Sequence, residues 1–153
     1  MSSPRPVTAG RARPVNLGVL MRDAFVALND LALRRLAEEG HEDIRSAHST
    51  VFQYLDETGT TVSALAERAR MTKQAMAELV AHLEGRGYLT RVPDPADRRA
   101  KLVLPTASGR EAVAIVQALV PSLEVRITAL LGEDRTAALR ADLERVREFA
   151  EAD

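Results

Sequence analysis

The chain has no cysteine, which excludes disulfide scaffolds, thiolate metal sites, catalytic thiols and redox sensing through cysteine. It also lacks tryptophan, and aromatics make up only 3% of its 153 residues, so aliphatic side chains must build the core. The first 15 residues, MSSPRPVTAGRARPV, carry three Arg and three Pro but no apolar run. They cannot be a secretory signal and are expected to form a loose, disordered, weakly basic tail. The longest nearly apolar stretch, Val113 to Val120, is interrupted by Gln117 and is too short for a bilayer span. A soluble, cytoplasmic protein without membrane contact is therefore expected. Chemistry-bearing motifs are equally scarce. His41, His48 and His82 are widely separated, and there is no HExxH, no G-x-S-x-G and no phosphate-binding glycine loop. Asp94 and Asp97 sit on a short loop among arginines, where turn formation and Arg pairing account for them. The chain is expected not to be an enzyme and to need no metal or cofactor.

Charge is present, and it is unevenly placed. The net charge is only −1, yet Arg68 to Lys101 holds eight basic and four acidic residues, a net of +4, between two acidic blocks. A local phosphate-binding surface requires such a block, although a solvated face would look the same if taken alone.

Periodicity organises the rest. Leu17, Leu20, Met21, Ala24, Leu28, Leu31 and Leu36 recur at helical spacing up to Gly40, with Phe25 and Leu33 off that stripe, so a second apolar contact such as another subunit is expected. A second helix is expected from Ser46 to Glu57, burying Ala47, Val51, Phe52 and Leu55. Thr61 caps a helix from Val62 to Ala69, and Thr72 caps another from Lys73 to Arg86 that Gly87 closes. Two short helices with a tight turn give a helix-turn-helix pattern. Tyr88–Val92 and Ala100–Leu104 are rich in strand formers and flank a polar tip, a β-hairpin. Helical periodicity then runs from Thr106 to Gly132 with Pro121 inside it, which should kink or split that helix. A last helix is expected from Glu133 to Ala150.

On the second motif helix the inward stripe is Met76, Leu79, Val80 and Leu83, which turns Gln74, Ala77, Glu78 and Ala81 outward with Lys73 on a flank. Gln74 can bond adenine in a bidentate manner, Ala77 can pack on a thymine methyl, and Lys73 suits phosphate. Glu78 is repelled by DNA unless it accepts from a cytosine amino group or pairs with an Arg. Taken alone, this helix serves equally well as a solvent face, since such motifs occur in proteins that bind no DNA. The hairpin tip shifts the balance: Arg98 and Arg99 on a stiff loop suit a minor groove and its negative potential.

Both signals stand in the order of a known family. Leu65-Ala66, Met71-Thr72-Lys73-Gln74, Leu83-Glu84-x-x-Gly87-Tyr88-Leu89, the wing Arg91-Val92-x-Asp94-Pro95-x-Asp97-Arg98-Arg99 and Thr106-x-x-Gly109 resemble the MarR family of winged-helix regulators. Pro105 departs from it, standing where the family usually has Leu, and should tighten the hairpin exit. The resemblance implies a mainly α fold, about six helices plus a β-hairpin wing. It implies a single domain over residues 16–153, with a DNA-binding lobe at 46–106 and dimerisation helices at 16–40 and 107–153. It further implies that Thr72, Lys73 and Gln74 enter the major groove and Arg99 the minor groove, with Asp97 supporting Arg99; Ala77, Arg98 and Lys101 complete the expected DNA contacts.

Two winged helices about one DNA turn apart in a homodimer would read a palindromic operator. The family commonly binds small phenolic or aromatic anions between dimer layer and DNA-binding lobe, so Met21, Phe25, Arg45, His48 and Phe52 are the candidate ligand residues, His48 and Phe52 being more readily explained as a satisfied or exposed His near a helix start and a core side chain. The expected function is a sequence-specific transcriptional regulator, a repressor released by a small molecule. The competing reading is a winged-helix protein-interaction module with no DNA target.

Overall fold

A computed structural model describes residues 15–152; the expected basic tail lies, apart from Val15, outside the described residues. The order is α1 (Leu17–Glu38), a 3-10 turn (Ser46–His48) leading into α2 (Ser49–Tyr54), α3 (Val62–Arg68), α4 (Lys73–Gly85), β1 (Leu89–Pro93), β2 (Lys101–Pro105), α5 (Ala107–Leu131) and α6 (Glu133–Ala152). The mainly α, winged helix-turn-helix architecture expected from the sequence is present.

Helix starts are set locally. The side chains of Asn16, Thr61, Thr72 and Thr106 accept from the backbone amides of Val19, Ala64, Ala75 and Gly109, satisfying donors that the first turn leaves orphaned. The α2 end is set from a distance. The sequence suggests helix to Glu57, but α2 stops at Tyr54 because the Arg68 guanidinium donates to the Tyr54 carbonyl at 2.8 Å and to Asp56 at 2.9 Å. Asp56 then gives its amide to Thr60 Oγ1 at 2.9 Å. Ala47, expected inward, is exposed on the 3-10 turn.

β1 and β2 form an antiparallel hairpin with Leu89 opposite Pro105 and Pro93 opposite Lys101. Thr60 exchanges two backbone bonds with Val103, at 3.0 and 2.9 Å, pinning the hairpin base to the segment before α3. The fully buried side chains Val51, Leu65, Met76, Val80, Leu83 and Val103 meet here. Each such burial is worth about 1.5–3 kcal/mol. Leu36 at the end of α1 and Ala112 at the start of α5 close this core.

The T-x-x-G motif has a packing cause. Thr106 Oγ1 donates to the Gly87 carbonyl at 2.6 Å while accepting from Gly109 N at 3.1 Å. A Cβ on Gly109 would collide with the Tyr88 carbonyl, so α5 can start against the hairpin only with glycine there.

Pro121 neither ends nor divides α5, which runs unbroken for 25 residues. The proline removes one amide donor from the ladder, but Pro121 and Gln117 are both exposed, so water can take the freed carbonyl. α5 is also long and apolar enough, by length and composition alone, to cross a bilayer; the helix is thus far longer than the Val113–Val120 run. Val120, Val125 and Leu130 of α5 are exposed within the single chain, as are Leu17, Leu20 and Phe25 of α1 and Phe149 of α6.

Candidate nucleic-acid interface

The helix-turn-helix is built from α3, α4 and the turn between them. Leu65 and Ala66 pack against Met76 and Val80. The chain reverses at Arg70, which has φ +53, while Arg70 N and Met71 N bond the Glu67 and Ala66 carbonyls at 3.1 and 2.9 Å. These bonds close α3 and set where α4 begins. Thr72, Lys73 and Gln74 are exposed at the N-terminus of α4, as are Glu78 and Ala81 further along, whereas Ala77 is half-buried. Thr72 Oγ1 is occupied as an acceptor from Ala75 N at 3.1 Å, leaving its O–H free to donate. A helix N-terminus favours an anion such as a phosphate, and α4 has no acidic residue in its first turn.

The wing tip is held by its own carboxylates. Asp94 Oδ1 accepts from Ala96 N, and Asp97 Oδ1 from Arg99 N, both at 2.9 Å. Asp94 N and Ala100 N close the loop on the Ala100 and Asp97 carbonyls at 3.0 Å. Asp97 therefore contacts Arg99 through the backbone, and the guanidinium is left outward. Arg98, Arg99 and Lys101 are exposed. Among the described residues, none of these three cations nor Lys73 has a carboxylate within ion-pair distance.

One contact joining the two parts was missed by sequence reasoning. Arg91 Nε on β1 donates to Glu84 Oε2 on α4 at 2.8 Å, with both side chains part-exposed. It sets the hairpin against α4. Both residues stand in the motif that carries the resemblance, so the signal was visible although the pairing was not.

The ligand candidates separate. Phe52 lines a cavity of about 330 Å³ between α1, α2 and α5, together with α1 residues Asn29, Ala32 and Leu36; Met21, Phe25, Arg45 and His48 do not line it. Met21 and Phe25 are exposed on α1. His48 is buried, its Nδ1 accepting from Arg45 N at 2.9 Å. Its ring stacks on His82 of α4 with centroids 4.6 Å apart. Burial first, then His82 and Arg45, lowers the His48 pKa from the ordinary histidine value. His41 Nδ1 lies 3.2 Å from the Tyr88 hydroxyl, whose pKa is raised by burial and then by Asp43 and Glu42, against a lowering by Arg86. Among the described residues no group of three or more His, Cys, Asp or Glu is placed to hold a metal ion.

Comparison with known proteins gives a consistent picture. Residues 42–100 match the sequence profile of the MarR family. The transcriptional regulator HosA of Escherichia coli O111:H- is 36% identical over 98 residues, covering 62% of this chain and 73% of HosA. The transcriptional repressor CouR, solved bound to a 23-mer DNA duplex, is 28% identical with a TM-score of 0.68, covering 86% of this chain and 92% of CouR. Streptococcus pneumoniae FabT, solved in complex with DNA, shares the fold at a TM-score of 0.75 and 19% identity, over 89% of this chain and 96% of FabT.

Proposed function

Since the chain belongs to the MarR family, we propose that it is a cytoplasmic, homodimeric transcriptional repressor that reads a palindromic operator and is released by a small molecule. Thr72, which caps α4, and Lys73, Gln74 and Ala77 on that helix enter the major groove. Arg98 and Arg99 take the adjacent minor groove, Asp97 fixes their loop, and Lys101 contacts phosphate. Residues 46–106 are the DNA-binding lobe, and 16–40 with 107–153 form the dimer layer. The observation that carries this reading is at the wing tip. Asp94 and Asp97 each give one carboxylate oxygen to a backbone amide of the tip, and the exposed Arg98 and Arg99 form no ion pair among the described residues. CouR, which resembles this chain over most of its length, is itself a DNA-bound repressor.

The half-buried Ala77 reaches a base only on close approach of the helix, which the small side chains of Ala77 and Ala81 permit. Exposed Glu78 has no intramolecular partner among the described hydrogen bonds and ion pairs, which leaves it free to accept from a cytosine amino group. The test is selection of bound duplexes from random DNA, followed by mobility-shift titration across salt. A recovered palindrome whose affinity falls steeply with salt is the expected result. Arg99→Ala should weaken binding by about 1–3 kcal/mol with the fold intact; unchanged affinity would remove the wing from the interface. Failure to enrich any sequence at any salt would favour the protein-interaction reading.

A further inference from the structure

Three helices of this chain end in the same hydrogen-bonded turn. After α1, Gly40 N and His41 N bond the Ala37 and Leu36 carbonyls at 3.1 and 2.8 Å, and after α4, Gly87 N and Tyr88 N bond those of Glu84 and Leu83 at 3.0 and 2.9 Å. Arg70 N and Met71 N repeat the pattern after α3. The residue at the reversal must take positive φ, which favours glycine because a Cβ crowds the following carbonyl. Gly40 and Gly87 do so at φ +91 and +81. The turn of the helix-turn-helix places Arg70 there at φ +53, and among the described residues no other non-glycine has positive φ.

Within the chain nothing offsets that strain. Arg70 is exposed, and among the described residues its guanidinium enters no hydrogen bond or ion pair. It lines a cleft between the α3 turn and the end of α6, where the other charges are already matched. Arg68 is paired with Asp56 at 2.9 Å, and Arg147 and Glu151, one turn apart on α6, offset one another. The uncompensated charge is that of Arg70. Helix dipoles do not call for it either, since Arg70 adjoins the carbonyl end of α3 and the amide end of α4, which act in opposite senses.

We propose that Arg70 is a DNA phosphate contact, outside the residues assigned above to the two grooves, and that the strained turn is kept for the sake of its guanidinium. The inference rests on the reading of the chain as a DNA-binding regulator. Backbone strain persists where function uses it. Arg70 stands two residues before Thr72, the cap of α4, so its Cα is within about 7.6 Å of the start of that helix. A phosphate beside the α4 N-terminus therefore lies within the compass of its side chain and can take a charge-assisted bond from it. Such a contact adds affinity without sequence information. A dimer carries two.

Arg70→Gly in the full-length protein tests both halves of the proposal. Its thermal unfolding midpoint is expected to rise by about 2–4 °C, because the left-handed position loses its Cβ. Its affinity for a mixed-sequence DNA duplex in mobility-shift titration should nonetheless fall about tenfold. The slope of log affinity against log salt should shrink by about 2, one phosphate for each subunit. Arg70→Lys should keep the wild-type slope, and an operator recovered by selection should lose the same factor as mixed-sequence DNA. An unchanged slope in Arg70→Gly overturns the proposal. So does a lowered unfolding midpoint, which would give the guanidinium a structural role in the free protein, and so does a loss confined to the operator, which would make Arg70 a reader of sequence. Wild-type protein that binds neither duplex removes the regulator reading as well, whereas wild-type binding with an unaltered slope in the variant removes the Arg70 contact alone.

Discussion

Between Leu36 and Ala112 the apolar side chains of the core find their partners within one chain, whereas most of α1, the far part of α5 and α6 leave theirs partly or largely exposed. Met76, Val80 and Leu83 of α4 are fully buried. By contrast Phe25 is 61%, Leu130 81% and Phe149 70% exposed, and α6 buries no residue at all. Scattered exposed leucines need no explanation, but amphipathic helices with bare apolar stripes do. The two regions have been shaped by different partners. The winged lobe is completed by its own sequence, and the terminal helices await a second copy in the proposed dimer.

Leu83→Ala attacks the self-sufficient region and should have the largest effect, destabilising the protein by about 2–5 kcal/mol through lost burial and the cavity left behind. Denaturant unfolding followed by circular dichroism would measure it. A loss below about 1 kcal/mol would mean that the lobe core is less closely packed than its burial indicates. Phe149→Glu with Leu143→Glu attacks the other region. The double variant should keep a folded winged lobe yet shift the protein to monomer in sedimentation velocity, with operator affinity reduced by about 2 kcal/mol or more. Retention of the dimer would place the subunit contact somewhere other than α6.

The contrast also explains which features could be read from the sequence. Helix caps, the Gly87 stop and the hairpin are local, so Thr61, Thr72 and Gly87 announce them. The α2 end could not be read, because Arg68 fixes it from another helix. The candidate ligand residues show an intermediate case. Met21 and Phe25 precede Asn29, Ala32 and Leu36 of the same helix, which line the cavity. Periodicity placed Met21 and Leu36 on one apolar stripe and Phe25 off it, and only packing against α2 and α5 says which turns of α1 face the space. His48 was legible only as a satisfied histidine near a helix start, which its bond from Arg45 N matches; its stacking on His82 could not be read, since that partner is on α4. The proposed DNA contacts are of the opposite kind: Lys73, Gln74, Arg98 and Arg99 are exposed, and it is their place in the motif that carries the family resemblance that singles them out.

Arg91→Ala tests whether the winged lobe acts as one rigid unit. The Arg91–Glu84 pair is part-exposed at 29% and 40%, so its removal should cost under about 1 kcal/mol of stability. Operator affinity should fall by about as much, roughly fivefold, because the wing is no longer held against α4. If affinity is unchanged when Arg91 is replaced, the hairpin is positioned without this pair, by the Thr60–Val103 bonds and the Thr106 contacts at its base.

The smallest effect belongs to the joint where α4 meets the 3-10 turn before α2. Because the folded pKa of His48 is lowered, the unfolded chain binds a proton first as pH falls, so stability decreases with acidification. The contribution is fully present above the unfolded histidine value near 6.5 and is lost as pH falls from there towards the folded pKa. Protonation would also take the Nδ1 lone pair that now accepts from Arg45 N and place a second positive group beside Arg45. His48→Gln can still accept that amide but cannot titrate. The difference in unfolding midpoint between pH 8 and pH 5.5 should therefore be larger for the wild type than for His48→Gln. An equal difference would assign the acid sensitivity to other groups, with the stacked pair serving only as packing between α4 and the 3-10 turn.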